Sequence, residues 1–121
     1  MKLRIKGNSI RLRLTKSDVQ KLAQTGNVIE TTQIGKGKFK YELQTSNQDS
    51  LQALLHDDTI TVYIPKTFAL VWHENDVVGI ENLMPLPDGN SLFLLVEKDF
   101  VCLDETTDDQ SDNYENPNQV C

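Results

Sequence analysis

Along the first fourteen residues, apolar and charged side chains alternate. Lys2, Arg4 and Lys6 fall on one side and Leu3 and Ile5 on the other. After Gly7-Asn8-Ser9 the pattern resumes, with Ile10, Leu12 and Leu14 set against Arg11 and Arg13. A period of two belongs to a half-buried strand, and Gly and Asn tolerate the positive φ of a tight turn. Residues 2–14 are therefore expected to form a hairpin around a three-residue turn. The period then changes. Thr15-Lys-Ser-Asp18 has the form of a capping box, Val19, Leu22 and Ala23 share one helical face, and Gly26 suits a left-handed stop. Residues 28–34 and 38–44, on either side of Gly35-Lys36-Gly37, read as a second hairpin burying Phe39, Tyr41 and Leu43.

Residues 45–58 read as a polar connector in which Leu51, Leu54 and Leu55 have helical spacing, with Asp49 or Ser50 able to start a short helix. Residues 59–64 are β-rich, and Pro65 fits the first position of a helix whose stripe is Phe68, Ala69 and Trp72. Residues 77–84 and 91–97 form the last expected hairpin, with Asp88-Gly89 in its loop. Leu92 to Val96 are all apolar, which predicts a central strand covered on both faces. Residues 104–113 contain no apolar side chain and have no burial to offset ordering entropy. Tyr114 and Pro117 are the expected anchors of that tail.

The two halves resemble each other. Ile10 to Leu14, Thr15 and Lys16 align with Ile60 to Ile64, Pro65 and Lys66. The match continues with Val19 on Ala69, Leu22 on Trp72, Gly26 on Asp76 and Val28 on Val78. After three extra residues, Phe39, Tyr41 and Leu43 fall on Leu92, Leu94 and Val96. Self-similarity at a fixed offset governs the choice of fold. It predicts a mainly β (α+β) single domain over residues 1–103, a pseudo-two-fold, cradle-like β-barrel built from two strand–helix–hairpin repeats. Repeat 1 covers about residues 2–44, a connector 45–58 and repeat 2 about 59–97, and an acidic tail covers 104–121.

The run Lys6-Gly-Asn-Ser-Ile-Arg-Leu-Arg-Leu-Thr-Lys16 resembles the swapped-hairpin transcription factors of the AbrB and MazE type, and Ile64-Pro65-Lys66 resembles that family's strand end. The resemblance covers about residues 2–43 and, more weakly, 60–97. It implies interleaved hairpins forming one small barrel, DNA contacts near the first hairpin at Lys6, Asn8, Arg11 and Arg13, and an acidic tail that wraps a protein partner. In the second copy Thr61 and Tyr63 stand where Arg11 and Arg13 stood. Glu97 to Leu103 and Asp109 to Pro117 also look like a family of small bacterial proteins with no assigned activity.

The charge is uneven. Residues 1–40 hold ten Lys/Arg against Asp18 and Glu30, residues 41–101 hold Lys66 and Lys98 against ten acids, and residues 102–121 hold six acids and no base. The net charge is -6. A basic first third beside acidic remaining parts implies internal complementarity or two different partners. Lys2, Arg4, Lys6, Asn8, Arg11 and Arg13 form a candidate partner- or nucleic-acid-binding face, and Asp108, Asp109, Asp112 and Tyr114 a candidate partner-binding tail. The basic side lacks the interleaved aromatics that would stack on bases. Cys102 and Cys121 could pair, remain as thiols or join His56, His73 or tail carboxylates at a metal, but no C-x-x-C or H-x-x-x-H spacing directs them to one. No phosphate loop, nucleophile elbow or paired catalytic carboxylates are present, and no cofactor is called for. The expected protein is a cytoplasmic, non-catalytic interaction or regulatory module, a monomer or weak homodimer with a protein partner and no membrane. DNA-binding regulation is the alternative, and a metal- or thiol-dependent role through Cys102 and Cys121 a second.

Overall fold

The computed structural model describes residues 1–100 and 112–115. Strands β1 (Lys2–Ile5) and β2 (Ser9–Leu14) lead into helix α1 (Lys16–Thr25), followed by β3 (Asn27–Ile34) and β4 (Gly37–Ser46). Strands β5 (Gln52–His56) and β6 (Thr59–Pro65) lead into α2 (Lys66–Val71) and a 3-10 turn (Trp72–Glu74), followed by β7 (Gly79–Pro85) and β8 (Ser91–Lys98). The strands make two four-stranded sheets, β1-β2-β8-β7 and β3-β4-β6-β5. Each sheet takes one hairpin from each half of the chain and joins them by a central parallel pair, β2 with β8 and β4 with β6. The protein is mainly β, as its alternation predicts. No described helix is long and apolar enough to cross a membrane.

The expected signals of α1 are in place, whereas Pro65, expected as the first residue of α2, ends β6 and stands at the N-cap instead. Thr15 accepts from Asp18 N while Asp18 Oδ2 accepts from Thr15 N at 3.1 Å, a closed capping box. Gly26 ends α1 with φ of 84°, a conformation that costs a residue with a Cβ. The first turn keeps its expected three residues but lies one residue earlier. Ser9 already belongs to β2, with its carbonyl accepting from Lys6 N at 3.2 Å and its hydroxyl donating to Lys6 O at 2.7 Å. Lys6, Gly7 and Asn8 form the three-residue loop, with Gly7 at φ of 54°.

Two further expectations are corrected. Residues 45–58 contain no helix: β4 runs on to Ser46, and Gln52–His56 is a strand paired with β6. Asp57 and Asp58, at φ of 50° and 58°, close that hairpin in the geometry that suits right-twisted strands. The expected single barrel is also absent. Among the described residues no ladder joins the two sheets, because β1 and β5 are four- and five-residue edges. Side chains bridge the gap instead. Tyr41 Oη donates to Met1 O at 3.0 Å, Asn82 Nδ2 donates to Leu51 O at 2.8 Å, and Ala53 N donates to Met84 Sδ at 3.4 Å.

The ladders obey constant offsets. Lys2↔Arg13 through Ile5↔Ile10 become Gln52↔Tyr63 through Leu55↔Ile60 when 50 is added to each number. Ile10↔Leu94 and Leu12↔Val96 correspond to Ile60↔Tyr41 and Val62↔Leu43, so β4 maps onto β8 at an offset of 53. Val28↔Leu43 then answers Ile80↔Val96, which places Val28 on Ile80 rather than on Val78. Strand β5, paired with β6, begins inside the stretch expected as a connector.

Inward side chains from both sheets meet in one core: Leu12, Leu14, Leu43, Val62, Ile64, Leu94 and Val96, closed by Val19 and Leu22 of α1 and by Ala69 and Trp72 of the α2 segment. Each fully buried Leu or Ile contributes about 1.5–3 kcal/mol. Trp72 is fully buried, and its indole N–H donates to Val77 O at 2.7 Å.

Candidate functional site

Strand β8 is central in its sheet, yet only its inward side chains are covered. Leu94 and Val96 are fully buried, while Phe93 and Leu95 point outward, half-buried and outside the core cluster. Beside Phe93 on β7 stands Leu83, 63% exposed. On the other flank β2 sets Ser9 beside Phe93, Arg11 beside Leu95 and Arg13 beside Glu97. Strand β1 adds Arg4 opposite Arg11 and Lys2 opposite Arg13. The outer face of this sheet thus carries a basic strip beside a partly exposed apolar one, with Glu81 next to Leu95, and the stems of half-buried Arg11 and Arg13 can lie over it.

The basic strip divides into two parts. Arg13 Nε donates to Glu97 Oε1 at 2.9 Å, and Lys2 Nζ lies 3.2 Å from Oδ2 of buried Asp99. Arg4, Lys6 and Arg11, with Ser9, line a shallow recess. None of these three cations has an acidic partner among the described residues. Asn8 serves structure: its amide donates to Ser91 O at 2.6 Å, and its carbonyl accepts from Phe93 N at 3.1 Å. On the equivalent face of the other sheet, β5 and β6 carry Gln52, Leu54, Thr61 and Tyr63, and the basic residues, Lys38 and Lys40, stand on β4 instead.

The tail residues lie elsewhere. Lys16 N donates to Asp112 O at 3.0 Å, and Ser17 N approaches Asp112 Oδ1 at 3.4 Å, at the start of α1. A carboxylate is favoured at a helix N-terminus. A hydrogen bond from the Thr15 hydroxyl holds the Asp112 carboxyl below its usual pKa against the opposing effect of burial, with hydrogen bonds from Ser17 and the charge of Lys16 adding to the lowering. Tyr114 N donates to Asp99 O at 2.8 Å, and its ring lies 5.9 Å from that of Phe100. Burial, then the charges of Asp112 and Asp18, raise the Tyr114 phenol. Asp112 and Tyr114 are thus fastened to the protein's own body. Asp108, Asp109, Pro117, Cys102 and Cys121 lie outside the described residues.

This strap covers a group that the pattern of the sequence did not single out. Lys98 is buried, with Nζ 4.9 Å from the Tyr114 ring centre and 5.8 Å from that of Trp72, donating to Asn75 O at 2.7 Å. Burial lowers its pKa, partly countered by Asp76. Inward parity on β8 was the available signal. At the opposite edge the Met1 amine meets Glu30 at 2.8 Å and Asp18 at 2.9 Å. Burial alone would depress that amine, but the two carboxylates together outweigh it and raise its pKa.

Among the described residues no group of three or more His, Cys, Asp or Glu side chains is placed to hold a metal. His56 and His73 are apart, each beside its own neighbouring acid, Asp57 and Glu74. Comparison with curated proteins and with solved structures gave no match, so nothing there ties the chain to the AbrB and MazE-type regulators. Residues 1–118 match DUF7009, a family of unknown function, and the chain belongs to that family.

Proposed function

We propose that this chain is a non-catalytic protein-interaction module whose partner docks on the outer face of the sheet β1-β2-β8-β7. The observation that carries this reading is the row of exposed Leu83 and half-buried Phe93 and Leu95 on the same sheet face as Arg4, Lys6 and Arg11, with Arg11 directly beside Leu95. Exposed apolar area rimmed by charge is characteristic of a docking surface, and this charge favours an acidic amphipathic partner. The internal duplication belongs to the same reading, supported by the constant ladder offsets. One copy keeps the basic strip and the other replaces it with Gln52, Leu54, Thr61 and Tyr63.

Capture experiments with the full chain, Leu83→Asp, Arg11→Glu and a control on the other sheet, Thr61→Glu, test this. Partners common to the wild type and the control should be lost with the first two variants. Unchanged partners across all four proteins would remove the reading. DNA-binding regulation is the competing outcome: affinity for duplex DNA should then fall steeply with salt, and Arg11→Ala should flatten that slope.

A further inference from the structure

Strands β1 and β2 place like charges directly opposite one another twice, at Lys2↔Arg13 and at Arg4↔Arg11. Such pairs oppose strand pairing. The chain neutralises the first with Asp99 and Glu97. For the second, the β8 neighbour of Arg11 is Leu95, and the next residue in that row is Glu81 on β7, about 10 Å away at ordinary strand spacing. Lys6 adds a third cation to the same recess. The Ser9 hydroxyl donates to Lys6 O, leaving the three cationic side chains as the donors facing the recess.

We infer that the recess between Arg4, Lys6 and Arg11 is an oxyanion site, and that a carboxylate or phosphate group carried by the docked partner fills it. Two guanidinium forks and an ammonium match the charge and the donor demand of such a group. The identity of the anion's carrier rests on the interaction reading above. The site itself rests on the pattern of neutralised and un-neutralised pairs.

The probe is inorganic phosphate, titrated at low ionic strength into the full chain while the arginine Nε–H resonances are followed. Arg4 and Arg11 should shift to saturation while Arg13, held by Glu97, stays still. Arg11→Gln should weaken the apparent affinity at Arg4 at least tenfold, and Arg11→Lys should retain most of it. Phosphate should also raise the melting temperature of the wild type and not that of Arg11→Gln. A linear drift, or equal movement of Arg13, means an adventitious ion only and overturns the site. Displacement of phosphate by a phosphoserine peptide or by a diglutamate peptide supports the inference and names the source, and failure of both overturns the partner-supplied anion. Failure of phosphate to saturate, with partner capture still lost in Leu83→Asp, would overturn the anion site alone and leave the docking reading standing. Saturation with capture indifferent to Leu83→Asp would do the reverse.

Discussion

Removing a positive charge from β1 should have opposite effects at two positions only two residues apart. Arg4 and Arg11 form a directly opposed pair with no neutralising acid among the described residues. With charged groups about 7 Å apart, their repulsion is about 0.6 kcal/mol in a water-like dielectric and about 1.2 kcal/mol at half that value. Arg4→Gln should therefore stabilise the protein by about 0.3–1 kcal/mol at low ionic strength. Lys2→Gln takes away the ammonium facing buried Asp99 Oδ2. That carboxylate then lacks its counter-charge, and the cost should be about 1 kcal/mol, discounted from the buried-pair value because Lys2 itself is half exposed. Urea denaturation of both variants at low salt and at about 1 M salt, where the screening length is about 3 Å, separates the terms. The Arg4 gain should vanish at high salt, while much of the Lys2 loss persists because Asp99 stays buried. A destabilised Arg4→Gln, or a gain that ignores salt, would refute the view that this pair lacks an internal counter-ion.

A Cβ on Gly79 would run into the Val96 carbonyl and crowd Glu97, so Gly79→Ala should cost about 2–3 kcal/mol in a thermal or urea melt. Wild-type stability would mean that β7 can shift away from β8. Tyr114→Ala removes the ring over Lys98 and the contact with Phe100, together worth about 1–2 kcal/mol. A double-mutant cycle with Lys98→Met should give a coupling of at least about 0.5 kcal/mol, read by emission of Trp72, the single tryptophan. Because the folded state depresses the Asp112 pKa, its contribution is complete above the ordinary carboxylate range and is lost as pH falls through the lower folded value. Amide exchange at Lys16 and Ser17 should therefore rise below about pH 4, and Asp112→Asn should remove that acid step.

Where a local rule acted alone, the sequence was easy to read. The capping box of Thr15 and Asp18, the left-handed Gly26 and the alternation of β2 needed only neighbours in the chain, and each is realised. Strand β5 was hidden because Leu51, Leu54 and Leu55 also satisfy a helical spacing, and because Asp57-Asp58 forms its turn without a glycine. The offset of 50 read in the sequence does not carry past Trp72: Val28 pairs with Leu43, whereas Ile80, not Val78, pairs with Val96. In the fold, residues after the 3-10 turn wrap so that Val77 O receives the indole N–H, and two residues are consumed before β7 begins. Barrel closure depends on how far β1 and β5 extend beside neighbours distant in sequence, which periodicity does not encode.

The candidate surface follows from an asymmetry that neither half reveals alone. The alternation of Lys2, Arg4, Arg11 and Arg13 was visible in one hairpin, but which cations remain unpaired was decided by β8, more than 80 residues later. Glu97 and Asp99 arrive at the helix end of the sheet and quench Lys2 and Arg13, whereas Leu95 arrives beside Arg11 and leaves it charged. Had the parallel pairing of β2 with β8 slipped by two residues, Glu97 would face Arg11 and neutralise one of the three cations of the recess. The register of β2 on β8 therefore selects which cations of an otherwise uniform basic strip meet an acid and which do not.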